Sequence, residues 1–401
     1  MSGEILFLAH RTPFPPDRGD KIRSWNILKA IAKLAPTHVL GVADPADDPA
    51  MGRDEIGAIA ASVHIEPASF TRSQAVAKAL FTGQPASVCA FASRKLEDRV
   101  RKLLDERPIS AIYAFSGQMA QFVPVKRDGQ RFVMDFVDMD SAKFSAFARE
   151  SRGLSRIANR VEGRRLFAFE KNVANRADVS LFVSEDEASL FRAASGLGAD
   201  RIDVLENGVD LEWFTPDRIQ TPVDAGGGPL IVFTGQMDYR PNIEAVGIFA
   251  RETLPLVRAF HPSAIFAIVG RAPSAEVKAL SVLPGVIVTG EVPDTRDWLA
   301  AADVVVAPLR LARGVQNKVL EAMAMAKPVV ASVEAGQGID AKPNEAFIVA
   351  RDSQAEARGI LDILANPARA MLMGKAARVR MEARYGWDAR MAGLPKILGL
   401  D

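Results

Sequence analysis

The residues best equipped for chemistry lie in VVVAPLRLARGVQNKVLEAMAMAKPVVAS, from Val304 to Ser332. A run of β-branched residues stops at Pro308, and a polar loop then turns through Arg313 and Gly314. A helical stretch follows with Glu321, and a second apolar run begins after Pro328. A helix that starts at the carboxyl end of a strand presents unpaired N–H groups and the positive end of its dipole, and together these can hold a phosphate. Glu321 lies about one turn into that helix, where a carboxylate accepts hydrogen bonds from ribose hydroxyls.

Three further clusters could carry chemistry. Around Gly19, which lets backbone approach a ligand, stand Arg18, Asp20, Lys21 and Arg23, a density of charge that points to substrate contact or to a solvated helix cap. Asp135, Asp138 and Asp140 sit at or just past the end of an apolar run in DFVDMDSAKF, where they either meet a ligand or cap a turn. Arg149, Arg152, Arg156, Arg160 and Arg164 recur at spacings of three and four, which lines them along one helical face. That face is either solvated and internally paired or attracted to an anionic membrane surface or phosphate-bearing lipid. His10 ends the first apolar run, whereas His38, His64 and His261 read as ordinary surface or core positions. No histidine or cysteine pair is spaced for a metal.

The elements that must position these groups follow a steady rhythm. Apolar runs at Ile5–Ala9, Thr37–Val42, Ala111–Phe115, Phe132–Phe136 and Val179–Val183 alternate with helical patterns, as in a mostly parallel, doubly wound sheet. Asp217 to Pro229, DRIQTPVDAGGGP, has a linker's composition, and beyond it the alternation restarts. Two Rossmann-like α/β domains, 1–216 and 217–382, are therefore expected to face each other across a cleft.

Composition narrows the function classes. With 401 residues, 48% hydrophobic, the chain can fill two cores. A net charge of +1 excludes an overall field for nucleic acid. Cys89 is the only cysteine, so no internal disulfide forms and a reducing compartment is expected. The run from Ile5 to Ala9 is too short for a signal peptide or membrane span, which leads to an expected cytoplasmic location, peripheral at the inner face of a membrane.

Four motifs in order carry a resemblance: NGVDLEWFTP at Asn207–Pro216, the glycine-ended run Val232–Gly235, VTGEVPD at Val288–Asp294, and NKVLEAMAMAKPVVAS. Together they resemble the GT-B retaining glycosyltransferases of family 4. FPPDRGDKIRSWN, DFVDMDS and FTGQMDYRPN are similar to the sugar transferases associated with PEP-CTERM exopolysaccharide loci. The resemblance implies a nucleotide-sugar donor, a glycan or polyprenyl-linked acceptor, no cofactor and no metal. It also implies that the C-terminal segment 383–401 packs back on the first domain.

Carried over residue by residue, Glu321 matches the second acid of the family's E-x7-E motif and holds the ribose. Gly314, Gln316, Asn317 and Lys318 offer N–H groups and an ammonium to the diphosphate, and the main chain at Val292 meets the base. Two positions depart from the pattern. Arg313 stands where the first acid belongs, and a guanidinium donates to sugar hydroxyls or phosphate but accepts nothing. After Gly235 the family often has an arginine, with a lysine five residues on; here Gln236 follows, and the nearest cation is Arg240.

Lys318 and Arg240 are therefore expected to neutralise the leaving group, with Arg313 in reserve. Asp138, Arg313 and Lys318 are the expected catalytic groups, and Arg18, Gly19, Asp20, Lys21 and Asp138 the expected acceptor contacts. The rival readings are a catalytically silent nucleotide-sugar-binding protein and a sugar-nucleotide epimerase. An NAD-dependent oxidoreductase is disfavoured because no G-x-G-x-x-G follows the first run.

Overall fold

The structure is a computed structural model that describes residues 3–16, 18–43, 50–67, 71–217, 221, 223, 226–312 and 315–400, without the side chains of Arg72 and Glu150. Arg313, Gly314 and part of the 217–229 linker lie outside the described residues. Contacts divide the chain into two units, Met1–Asn207 with Arg390–Asp401, and Gly208–Ala389.

The first unit is built on a parallel sheet of seven strands: β1 (Glu4–Ala9), β2 (Thr37–Val42), β3 (Ser62–Glu66), β4 (Ile109–Phe115), β5 (Arg131–Val137), β6 (Val179–Phe182) and β7 (Ile202–Val204), in the order β3-β2-β1-β4-β5-β6-β7. Every residue of β1 and β2 is buried, because helices cover both faces of a parallel sheet and leave no polar side to alternate with. β3 and β7 are the edges, and the apolar pattern does not announce them because they are short and half-exposed. The helices that matter below are α1 (Gly19–Ala32), α2 (Arg72–Thr82), α3 (Asp140–Glu150) and α4 (Gly153–Arg176).

The second unit repeats the plan with six parallel strands: β8 (Leu230–Thr234), β9 (Ile265–Val269), β10 (Val286–Gly290), β11 (Val304–Ala307), β12 (Val329–Ser332) and β13 (Ile348–Ala350), in the order β10-β9-β8-β11-β12-β13. α5 (Arg240–Ile248) follows β8 and α6 (Asn317–Ala324) follows β11. In both sheets the order reverses beside the first strand of the unit, and ligands of open α/β sheets gather at the carboxyl edge of such a reversal.

The units divide earlier than the linker composition suggests. Gly208–Pro216, assigned by composition to the first domain, belong to the second unit: Val209 bridges Gly386, and Arg378 donates to the carbonyls of Leu211 and Phe214. The return to the first unit comes at Arg390, later than the expected 383. Arg390 pairs with Glu206, Arg131 Nε donates to the Ile397 carbonyl at 2.7 Å, and Leu394 and Leu398 are buried.

Candidate functional site

At the carboxyl edge of the second sheet lies a cavity of about 580 Å³. The sequence of each strand end shapes it. Gly270 directly follows β9, where φ is +149 and an added Cβ would lie 1.7 Å from the Gly235 carbonyl oxygen, so only glycine lets the β8 and β9 ends approach this closely. The Gly235 N–H donates to the Val269 carbonyl and that of Met237 to the Arg271 carbonyl, which ties the two loops together.

α6 starts at Asn317 with no side-chain cap, leaving its first N–H groups open. Its apolar side buries Val319, Leu320 and Met323, and Lys318 and Glu321, one turn apart, line the cavity. Lys318 Nζ donates to Asn242 Oδ1 at 2.6 Å and stands 4.3 Å from the centre of the Phe233 ring. Asn242 Nδ2 donates in turn to the Gln236 carbonyl at 2.8 Å, so the ammonium is held by the loop that follows β8.

Electrostatics fit a site awaiting an anion. Burial pulls Lys318 down to about 8 against the opposing charge of Glu321. Burial pushes Glu321 up to about 7, with Lys318 pulling the other way. No hydrogen bond or ion pair to the Glu321 carboxylate occurs among the described residues, an arrangement that leaves both oxygens to a ligand.

Of the expected donor residues, Gly235, Gln236, Val292, Gln316, Asn317, Lys318 and Glu321 line this one cavity. Arg240 does not: it lines a separate groove of about 650 Å³ with Glu244, Gly247, Arg251 and Glu276. The reason is helical geometry, since Asn242 turns toward the site and a residue two positions away points to the opposite side of α5. Arg313 and Gly314 lie outside the described residues. The cation that sequence reasoning missed is Arg271, on the cavity wall directly after Gly270, with Nη2 3.3 Å from Gln236 Oε1. The signal was present as a glycine-ended strand, IFAIVGR, but the pattern looked for a cation only after Gly235. Glu291, Thr295 and Asn242 also line the cavity unannounced.

The first unit gathers a second set of groups at the carboxyl edge of its own sheet. His10 follows β1, with Nε2 3.3 Å from Asp20 Oδ2; Arg11 donates to the same oxygen at 2.5 Å. Burial opposes the ionisation of Asp20, but hydrogen bonds from His10 and Arg11 outweigh it and hold the carboxyl far below its usual range. Burial lowers His10 against the pull of Asp20, and its Nδ1 is buried without a partner among the described residues.

Past β5, Lys143 bridges Asp138 at 2.8 Å and Asp140 at 3.0 Å. Burial pulls Lys143 down, yet the two carboxylates hold it well above the usual lysine range. The backbone here is strained: Ser116 has φ 74 and the β-branched Val137 φ 68, both in the left-handed region. Asp135 holds that bend, its Oδ1 accepting from the Val137 N–H at 3.1 Å.

The expected acceptor contacts fare unevenly. Asp20 and Asp138 stand at this edge, Gly19 opens α1 exposed, and Arg18 Nε is 3.6 Å from Asp20 Oδ1. Lys21 is only 2% exposed and turned into the fold, because its position on α1 faces the sheet. Arg23, 1% exposed, is not a surface group either. It pairs with the fully buried Asp135 at 3.0 Å, and Asp135 also accepts from Tyr113 Oη at 2.7 Å. Of the three aspartates, Asp135 is thus a core ion-pair partner, not a ligand group. Among the described residues no three His, Cys, Asp or Glu side chains are grouped to hold a metal.

Comparison with known proteins places this arrangement. Residues 23–208 match the family described as Glycosyl transferase 4-like domain, and residues 228–366 match Glycosyl transferases group 1. Two glycosyltransferase families thus match successive parts of the chain, on a fold of the GT-B type. It is similar to a phosphatidyl-myo-inositol mannosyltransferase of Propionibacterium freudenreichii, 28% identical over 170 residues that span 42% of this chain and 40% of that one. The fold also matches HepE from Anabaena, solved with UDP and glucose, at 16% identity over 99% of each chain with a TM-score of 0.64. Sucrose-phosphate synthase from Thermosynechococcus elongatus matches at 19% identity over 99% of this chain and 98% of that one, with a TM-score of 0.65.

Proposed function

We propose that the protein transfers a sugar from a nucleotide-sugar donor, with retention at the anomeric carbon, to a glycan or polyprenyl-linked acceptor in exopolysaccharide assembly. The observation that carries this reading is the convergence of Glu321, Lys318, Arg271 and the uncapped start of α6 on one cavity. Glu321 accepts from the ribose hydroxyls. Lys318, Arg271 and the helix N–H groups meet the diphosphate, whose negative charge grows as the glycosidic bond breaks. Arg271 thus supplies the charge lost at Gln236.

No pair of carboxylates needs to flank the sugar in this scheme, unlike in the glycosidases. The donor's own phosphate oxygen takes the acceptor proton as the new bond forms on the same face, and the protein contributes orientation and electrostatics. HepE is seen with UDP and glucose, which makes UDP the first nucleotide to test. The mannosyltransferase relative acts on phosphatidyl-myo-inositol, which supports a lipid-borne acceptor. On the acceptor side, Asp138 and His10 would orient the incoming hydroxyl.

Calorimetry with UDP, GDP and ADP tests the donor site. One nucleotide should bind, and Glu321→Ala should weaken it by about 2 kcal/mol or more while the variant melts as a folded protein. Unchanged affinity in that variant would overturn the site. Binding without nucleotide release in the presence of polyprenyl-linked acceptors would instead favour the silent reading, which the arginine at position 313 motivates.

A further inference from the structure

Glu356 is a carboxylate that the transfer chemistry leaves unused, yet it is only 1% exposed. It lies on the helix Ser353–Ala365, and groups from two distant segments meet it. Thr253 Oγ1 donates to Oε2 at 2.8 Å. Arg310 Nη2 stands 3.0 Å from Oε1 without the alignment of a hydrogen bond, an ion pair held by charge alone. Burial pushes the Glu356 carboxyl up, while Thr253 and Arg310 pull the other way. Such a buried pair adds little to stability, because desolvation offsets the attraction, so its place in the fold has another reason.

That place is the exit of β11. Leu309 and Arg310 follow Pro308, and both are pinned: the Leu309 carbonyl accepts from Ser332 Oγ at 2.6 Å, and Arg310 is held by Glu356. The same connection goes on to Val315 and Gln316, which line the donor cavity, and to α6 with Lys318 and Glu321. Thr253 reaches Glu356 from the far end of the helix that follows β8. There α5 runs into a π turn at Phe249–Thr253, a break in helical register of the kind that recurs at functional sites, and Thr253 is fully buried at its end. Near its start the same helix carries Asn242, which holds Lys318 at 2.6 Å. One helix therefore fastens the ammonium of the cavity and, through Glu356, the loop that leads to it.

We infer, on the donor-site reading of the cavity, that Glu356 is a positioning residue for the diphosphate: by holding Arg310 it sets the path of the loop after β11, and with it the N–H groups that Val315, Gln316 and the start of α6 offer to the donor. Neither Glu356 nor Arg310 lines the cavity, so both act on a ligand through the loop.

Calorimetry on the full chain tests this, with UDP, GDP and ADP and with the matching monophosphates UMP, GMP and AMP. Glu356→Gln keeps the shape and the bond from Thr253 but loses the charge that holds Arg310. It should melt close to the parent protein, since burying a neutral amide costs less than burying an ion. It should also bind the preferred diphosphate about tenfold more weakly, while the monophosphate, which lacks the terminal phosphate, binds nearly as before. Arg310→Met, measured below its melting temperature, should show the same split. The double variant should be no weaker than either single one, because both changes remove one contact. Equal losses for diphosphate and monophosphate, or lowered melting with unchanged affinity, would mark Glu356 as a stability residue and overturn the inference. Additive losses in the double variant would overturn it too, since the two side chains would then act apart. If the parent protein binds none of the three diphosphates, the donor-site reading itself falls, and this inference with it.

Discussion

Glu321 and Lys318 each hold a charge that burial disfavours, and the sign of that cost can be read against pH. Glu321 keeps a proton up to about 7 in the folded protein against an ordinary 4.5, so the native state holds more protons in that window and stability falls as pH rises through it. Lys318 gives up its proton near 8 instead of 10.5; the unfolded chain then holds more protons, and stability rises with pH between those values. Near neutrality both groups destabilise the empty protein, as expected of a site built for a ligand. Glu321→Gln should therefore raise the ligand-free stability at pH 8 by about 1 to 2 kcal/mol while weakening nucleotide binding, measurable by denaturation and calorimetry on the same samples. A second pair of substitutions separates structural from chemical acids. Asp135→Ala leaves Arg23 buried without its carboxylate and should cost about 3 to 5 kcal/mol. Asp138→Ala, at a position about one-third exposed, should leave melting nearly unchanged and reduce transfer at saturating donor.

Strand ends decide what the sites can hold. The approach of the β8 and β9 loops depends on Gly270, and Gly270→Ala should destabilise the second unit by about 2 kcal/mol or more, because a Cβ 1.7 Å from a backbone oxygen can be relieved only by moving the strand ends apart. The same movement would separate Arg271 from Gln236, so nucleotide affinity should fall more steeply than stability, a relation that thermal melting and calorimetry on this variant would check. At the first sheet, the left-handed residues Ser116 and Val137 play the corresponding part. They end adjacent strands in a strained bend, and the buried Asp135 holds the second of them.

The chain leaves its first unit, builds a second and returns, so one unit depends on residues from both ends of the sequence. Removing Arg390–Asp401 takes away buried Leu394 and Leu398, the partner of Glu206 and the carbonyl that holds Arg131. That deletion should destabilise the first unit by about 4 kcal/mol or more yet spare nucleotide binding in the second, which unfolding monitored alongside calorimetry would show. The parallel strands, the two-unit plan and the helix bearing Lys318 and Glu321 were legible in the sequence. Buried parallel strands read as unbroken β-branched runs, and a helix after such a run has its start at the sheet edge whatever surrounds it. The edges β3 and β7 escaped, being too short and half-exposed to give a periodic signal. Local pattern also could not tell which charged groups face a ligand. Lys21, Arg23 and Asp135 look like surface chemistry in one dimension and lie in the core, whereas Arg271 looks incidental and stands in the cavity. Arg240 and Asn242 are two residues apart and point to opposite sides of a helix. Direction and burial are properties of packing among segments far apart in the chain, and for that reason composition and spacing pointed to the cavity and to Lys318 but named Arg240 where Arg271 stands.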